Sequence, residues 1–499
     1  MFLIRYEMIK ELIFSLFFIM MFGASAHARS LLFDAAWLRQ ADKNDIQTQI
    51  SIGAKLNATD DIGRTPLIYA IVFEKDAEIV ELLIKNGAKV NTETDDGNSP
   101  LIYALSTGAA PEIIEILLRN GASVNVQDQY GRSPLVLAIK NNFAPHIIQD
   151  LIKRGADVNA EQTDSSVKDK NQQPYRSYPL FYALKSNPDI VEILLKNEAE
   201  VNIKDSNGAT PLNEALLQNT NIKIIDLLLQ YGADINLAND DKLTPLMCSF
   251  AHSDPNISML LIDKGADISQ YAPQNMPLLL YALSQQAYPQ VIEYLIEHGA
   301  DIHQADADGQ TPLMFAVQNK CAPEIIAMLL KYRADINARN HKKQTALMFA
   351  TDFQTVELLI THGADVNARN INGMTALMFL CADKTTAETI NLLVAHGADV
   401  NAADNLKNTP LMFAVAAGNI EAVKTLLALG ADVNIRNTEN GYTPLMQAVM
   451  SQAPIELVKI LLDAGADTKA RSRDNQSILQ SAEKNYPQVV DLLMQNGAI

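Results

Sequence analysis

The sequence predicts an all-α solenoid of about fourteen helix-turn-helix units linked by β-hairpin-like turns, and three observations carry that prediction. The chain's 499 residues exceed the roughly 250 to 300 that a single hydrophobic core serves, so it is either several domains or a repeat array. A Gly-Ala pair recurs at Gly53, Gly87, Gly121 and Gly155, then at Gly232, Gly265, Gly299, Gly363, Gly397, Gly430, Gly465 and Gly497, with Glu198-Ala199 and Arg333-Ala334 filling the two gaps. A Thr/Ser-Pro-Leu triplet keeps step with it at Thr65, Ser99, Ser133, Thr210, Thr244, Thr311, Thr409 and Thr443, with Thr345-Ala346-Leu347 and Thr375-Ala376-Leu377 as variants. The dominant interval is 34 residues, as from Thr65 to Ser99.

Each marker has a physical task. The hydroxyl of Thr or Ser caps orphan N–H groups at a helix start, and proline at the first helical position has no N–H to waste. Glycine after an apolar run takes the left-handed conformation that closes the last turn. Between the markers lie two apolar helical segments, such as 313–317 and 325–330 in the unit that opens at Thr311. The second is apolar around most of its circumference, so it needs cover on more than one side, which stacked neighbours supply. Ala-Asp-Val/Ile-Asn and then Asp/Asn-x-x-Gly, as at Asp306-Ala307-Asp308-Gly309, is turn chemistry joining one unit to the next.

With these residues the chain resembles the ankyrin-repeat family, whose pattern is a turn plus two antiparallel helices with a Thr-Pro-Leu-His-x-Ala start and a Gly-Ala-Asp-Val-Asn finish. The resemblance covers nearly the whole chain: a degenerate capping unit at 29–60, twelve repeats over 61–472, and a truncated unit at 473–499. The family's histidine is replaced by Ile68, Ile102, Val136, Met247, Met314, Met348, Met378, Met412 and Met446, so apolar packing is expected where the family has hydrogen bonds. Many units carry one extra residue in the turn between helices, which should alter turn geometry and leave topology alone. Between Ser133 and Tyr178 the interval stretches to 45 residues and inserts a polar segment near 163–177, which reads as a loop. Between Thr345 and Thr375 it shrinks to 30, leaving little room for a normal turn between helices.

The first 28 residues read as an export signal. Arg5 and Lys10 precede the apolar run 12–22, and Ala26-His27-Ala28 supplies a small-residue cleavage site. The run is shorter than the ~20 apolar residues of a membrane span. Glu7 and Glu11 break the positive end, so an uncleaved anchor is the competing reading. The expected address is the periplasm or the medium.

Composition narrows the partners. Hydrophobic residues at 48% and charged residues at 20% exclude disorder along the whole length. A net charge of -18 repels a phosphate backbone, so nucleic acid is not an expected partner. Cys248, Cys321 and Cys381 are too few and too far apart for a disulfide framework or a metal cluster, and read as buried filler. No phosphate loop, nucleophile elbow, Cys-x-x-Cys or His-Glu-x-x-His occurs, so neither catalysis nor a cofactor is expected. His298, His362 and His396 each precede a Gly-Ala pair in separate units; they read as helix C-terminal residues, where a cation or donor is favoured, and not as zinc ligands.

The most suggestive pattern is aromatic. One position after the Met/Ile row stand Tyr69, Tyr103, Tyr182, Tyr281, Phe315, Phe349, Phe379 and Phe413, with Asn213 and Glu214 interrupting. The resemblance implies that these first helices line a concave face, making the rings anchors for a peptide or protein surface. Packing between adjacent units is the alternative. A second cluster, Lys331, Arg333, Arg339, His341, Lys342 and Lys343, stands out on an acidic chain; Arg339, Lys342 and Lys343 are its candidate anion contacts, against a plainly solvated face. The function expected is therefore a non-enzymatic, exported, monomeric scaffold for a protein partner. The alternatives are an inhibitor or effector that binds a toxin or host protein, and an enzyme with a site on the hairpin tips or insert.

Overall fold

The computed structural model describes residues 35–383 and 386–498. The segment read as an export signal, 1–28, lies outside them. The described chain is mostly helical and divides in sequence between Pro245 and Leu246 into two compact units.

In the first unit, helix pairs follow one another: Pro66–Val72 with Ala77–Lys85, Pro100–Thr107 with Pro111–Arg119, Pro134–Lys140 with Pro145–Lys153, Pro179–Ala183 with Pro188–Lys196, and Pro211–Leu217 with Ile222–Gln230. Two short helices, Ala35–Gln40 and Lys43–Ser51, precede them. The starts form as the sequence dictates. Thr65 and Ser99 hydroxyls accept the amides of Ile68 and Ile102, each at 3.3 Å, and proline occupies the first helical position. The core lies between the two helix layers: Leu67, Ile68 and Ile71 on a first helix and Val80 and Leu83 on its partner are all 0% exposed.

The second unit repeats the scheme from Pro255–Asp263 to Val490–Gln495. The compressed interval near Thr345 is absorbed locally, since the first helix there is a single 3-10 turn, Ala346–Phe349, followed by Phe353–Thr361. The extra residue elsewhere in the inter-helix turn takes the left-handed conformation. Nine positions after the capping residue stand Glu74 (φ 54°), Asn142 (φ 53°) and Asn219 (φ 60°) in one unit, and Lys320 (φ 52°) and Gln452 (φ 50°) in the other. The helix-stop position behaves the same way even without glycine, because Glu198 (φ 66°) and Arg333 (φ 67°) adopt the conformation that glycine holds in the other repeats.

Within each unit the repeats are stitched by the asparagine that ends Ala-Asp-Val-Asn. Asn91 Nδ2 donates to the Gly121 carbonyl at 2.9 Å, and its Oδ1 accepts the Ser123 amide at 2.8 Å. The same pair of bonds recurs from Asn57 to Asn202 in the first unit and from Asn337 to Asn434 in the second. Asn159 makes it to Glu198 and Glu200 across the insertion, so the extra residues leave the stacking intact.

The insertion is not the loop the polar sequence suggests. β1 (Gln162–Lys168) and β2 (Pro174–Ser177) pair antiparallel, and the turn between them has the form of an ordinary hairpin tip: Asp169 Oδ1 accepts the amides of Asn171 and Gln173 at 2.8 and 2.9 Å, and Gln172 is left-handed. A polar stretch makes strands here because its ends continue an existing turn, and because its tip finds partners. The Lys170 amide donates to Asn207 Oδ1 at 2.9 Å, and its Nζ stands 3.4 Å from Asp240 Oδ2.

Where the family's histidine is absent, one residue supplies a substitute. Asn213, 0% exposed, accepts from the Thr210 hydroxyl at 2.6 Å and its Nδ2 faces the Leu243 carbonyl at 3.5 Å. Where methionine stands instead, the outcome varies: the hydroxyls of Thr311 and Thr443 accept the methionine amide at 3.3 Å, whereas those of Thr345, Thr375 and Thr409 are buried without a hydrogen-bond partner, a polar cost.

Candidate functional site

All eight rings of the aromatic row are half-buried. The preceding position in each repeat is core: Ile68, Ile102, Met314, Met348, Met378 and Met412 are at most 4% exposed. Successive residues of a helix point about 100° apart, so one step in sequence carries the side chain from the packed interior to the margin of the surface.

In the first unit the row is polar at its edges. The Tyr69 hydroxyl donates to Asp60 Oδ2 at 2.6 Å, and the ring stacks on Phe73 at 5.6 Å between centroids. The Arg64 guanidinium lies 5.9 Å from the Tyr69 ring and 6.0 Å from the Tyr103 ring, within cation-π range of both. Burial opposes ionisation of Asp60, but the Tyr69 hydroxyl and the amides of Arg64 and Ile62 outweigh it and hold the carboxyl below its ordinary value. Lys140 Nζ stands 5.5 Å from the Tyr182 ring. Where Glu214 takes the aromatic place, a ring arrives from elsewhere: Tyr175 of β2 donates to Asp205 Oδ2 at 2.6 Å, the same bond to the same hairpin position that Tyr69 makes to Asp60. Burial pushes the Glu214 carboxyl above its ordinary value, Gln218 opposes by hydrogen bonding, and Asp205 adds to the rise.

In the second unit the row loses its polar edge after Tyr281. Tyr281 packs on Phe250 at 6.3 Å, and Phe315, Phe349, Phe379 and Phe413 follow with no polar atom to satisfy. Phe349 stands on the 3-10 turn and keeps its place in the row despite the shortened repeat.

The basic cluster divides. Lys331, on the second helix Pro323–Lys331, pairs with Glu293 at 2.9 Å. Arg333 serves as the left-handed helix stop. Arg339 donates from Nη2 to the Arg369 carbonyl of the next hairpin, while Lys342 and Lys343 are exposed at the hairpin tip. The three histidines are helix caps: Nδ1 of His298, His362 and His396 meets the carbonyl four residues earlier at 2.8, 2.8 and 2.9 Å. Asn86, Asn120 and Asn197 do the same with their side-chain amides. Among the described residues no group of three His, Cys, Asp or Glu comes together as a metal would require, and no helix is long and apolar enough to cross a membrane. Cys248 and Cys381 are buried, and burial pushes the Cys381 thiol up to about 12. Cys321 departs from the filler reading by standing half-buried in the turn after Pro312–Gln318.

A family profile described as ankyrin repeats (3 copies) matches residues 32–128, 73–162, 161–239, 180–272, 218–306, 246–340, 279–370, 347–437 and 429–499. The chain belongs to the ankyrin-repeat family. No curated protein matches it. Ankyrin repeats are in general scaffolds for protein–protein interaction, typically without enzymatic activity, so this ankyrin-repeat chain is read through its surfaces. Two groups on those surfaces escape sequence reading. The asparagine ladder is written in the recurrence of Asn after Ala-Asp-Val, a signal that gives the residue but not its partners, a helix-stop carbonyl and the amide two residues on in the next repeat. Tyr175 has no signal at all, since only the folded insertion brings it to Asp205.

Proposed function

We propose that this ankyrin-repeat chain is an exported, monomeric scaffold that takes no part in catalysis and binds a protein partner along the aromatic row of its first helices. The observation that carries the reading is the burial step between neighbouring positions: the Met/Ile row is sealed, and the row from Tyr69 to Phe413 is half-buried in every repeat that carries a ring. Rings of that kind keep an apolar face at the surface with few rotamers to lose, which is what makes aromatic residues anchors in interfaces. Export rests on Arg5, Lys10, the apolar run 12–22 and the Ala26-His27-Ala28 site.

The test compares the chain with its Phe315→Ala and Phe349→Ala variants for saturable capture of partners from envelope and medium fractions, with helical circular dichroism as a check on folding. A variant that folds but loses its partner supports the row as the binding surface. Loss of folding without a selective binding defect assigns the rings to packing between repeats. Absence of any saturable partner overturns the scaffold reading, and N-terminal sequencing of the mature protein decides export.

A further inference from the structure

The hairpin tips form ridges of their own, apart from the aromatic row. In the second unit the Ile371 amide donates to the Lys342 carbonyl at 3.0 Å, and the Asn405 amide to the Asn372 carbonyl at 2.9 Å, so the tips 340–344, 370–374 and 404–408 are one continuous ledge. On a chain of net charge -18, this ledge presents Lys342, Lys343 and Lys407, all exposed and none paired with a carboxylate among the described residues. Between them stand two aliphatic side chains in open solvent, Ile371 at 50% and Leu406 at 45% exposure. Asp404, the carboxylate within the ledge, is engaged by the amides of Leu406 and Asn408 at 2.8 and 2.7 Å. Glu439 on the next hairpin ends the basic stretch.

The first unit shows what such a ledge can hold. Its tips carry the opposite charge, with Asp95, Asp96, Asp240 and Asp241 exposed, and across two of them lies the inserted hairpin of this same chain. The inserted hairpin sets Lys170 on Asn207 and within 3.4 Å of Asp240, with Asp241 at 3.9 Å. Beside that turn residue the strand residue Arg176 lies on the tip too, its carbonyl accepting the Ser206 amide at 3.0 Å and its amide donating to Ser206 Oγ at 3.1 Å, so this fold already lays backbone on its tips with a side chain of opposite charge against them.

We propose that the ledge of Lys342, Lys343, Ile371, Leu406 and Lys407 binds an extended acidic segment of a partner protein, carboxylates against the lysines and aliphatic side chains against Ile371 and Leu406. Stacked repeats stand ~8–10 Å apart, and three residues of extended chain in the polyproline II conformation, at ~3.1 Å each and three per turn, cover that interval and return to the same face. The segment that fits has an aliphatic residue at every third position with acidic residues between. The two exposed aliphatic side chains distinguish this surface from one for nucleic acid, whose backbone the chain's overall charge also repels. The inference rests on the chain being a protein-binding scaffold, but on residues other than the aromatic row.

The experiment is fluorescence anisotropy on the full chain with a labelled peptide of about nine residues repeating Glu-Glu-Leu, matched to that spacing. A Lys-Lys-Leu peptide and a deoxythymidine oligomer of equal charge are run beside it. The charge-reversal variant K342E/K343E/K407E is compared with K264E/K459E/K484E, which makes the same change at exposed lysines elsewhere in the second unit. The expected result is saturable binding of the acidic peptide, weakened by salt, lost roughly tenfold or more in the ledge variant and less than about threefold in the control variant. Equal loss in both variants, absence of binding, or tighter binding of the oligomer each overturns the proposal. Failure of the peptide while the chain still captures a partner through the row overturns the ledge alone and leaves the scaffold reading standing.

Discussion

Thr311 and Thr409 open their helices with the same seven residues, Thr-Pro-Leu-Met-Phe-Ala-Val, yet their hydroxyls are in opposite situations. Thr311 is half-buried, and its Oγ1 accepts the Met314 amide at 3.3 Å. Thr409 is 1% exposed, and its Oγ1 has no partner. Valine keeps the shape and removes the oxygen. At position 311 it deletes a helix cap, a loss of about 0.5–2 kcal/mol. At position 409 it deletes an unsatisfied buried hydroxyl, whose desolvation costs about 1–3 kcal/mol, so T409V should leave stability unchanged or raise it by about 1 kcal/mol. The two substitutions should thus differ by about 2 kcal/mol, or up to roughly 30-fold in a local opening equilibrium. A long repeat array need not unfold in one step, so amide hydrogen exchange in Pro312–Gln318 and Pro410–Ala416 is a better measure than a single melting temperature. Equal protection changes of the same sign at both sites would refute the reasoning.

Three further outcomes follow from the same geometry. Glu198→Gly and Arg333→Gly should each stabilise the protein by about 0.5–1 kcal/mol, because these residues hold φ near 66° and 67° at a helix stop where glycine is unstrained; local exchange or urea titration reads the gain. Asn367→Ala removes the bond to the Gly397 carbonyl at 2.7 Å and the bond from the Asp399 amide at 3.0 Å, and should cost about 1–3 kcal/mol with exchange rising on both sides of the broken junction. Glu214 binds its proton more tightly folded than unfolded, because burial raises its pKa from the ordinary 4.5. The folded state is therefore favoured below that value and loses stability as pH rises through the raised one, and Glu214→Gln should flatten this dependence in urea titrations across pH.

The helix pairs were legible because their punctuation is local. A hydroxyl before proline and a glycine after an apolar run each do their work within one turn of helix, and even the exceptions at Glu198 and Arg333 are placed by register alone. The inserted segment was not legible, since polar residues in sequence predict a loop, while its strands pair with each other and its tip meets Asn207 and Asp240 in other repeats, contacts that no local pattern announces. The capping hydroxyls show the same limit in miniature: identical heptapeptides give a satisfied threonine at one site and an orphan at another, so whether the cap closes is decided outside those seven residues.

For the candidate site the limit is physical. A repeated ring one position after a core methionine is required both by packing between repeats and by docking on a groove, and half-burial is the state common to the two. What separates the units is chemistry at the ring edge. In the first, Tyr69 and Tyr175 spend their hydroxyls on Asp60 and Asp205, and Arg64 fills the space between rings, so that part of the row is tied to its own hairpins. In the second, Phe315, Phe349, Phe379 and Phe413 have nothing to give to the hairpins, whose tips instead turn lysines and two aliphatic side chains outward. A partner that gains from apolar contact on the row and from charge at the tips would therefore engage the second unit first. Substitutions at Phe349 and at Lys342 should then weaken it by different routes, one insensitive to salt and the other abolished by it.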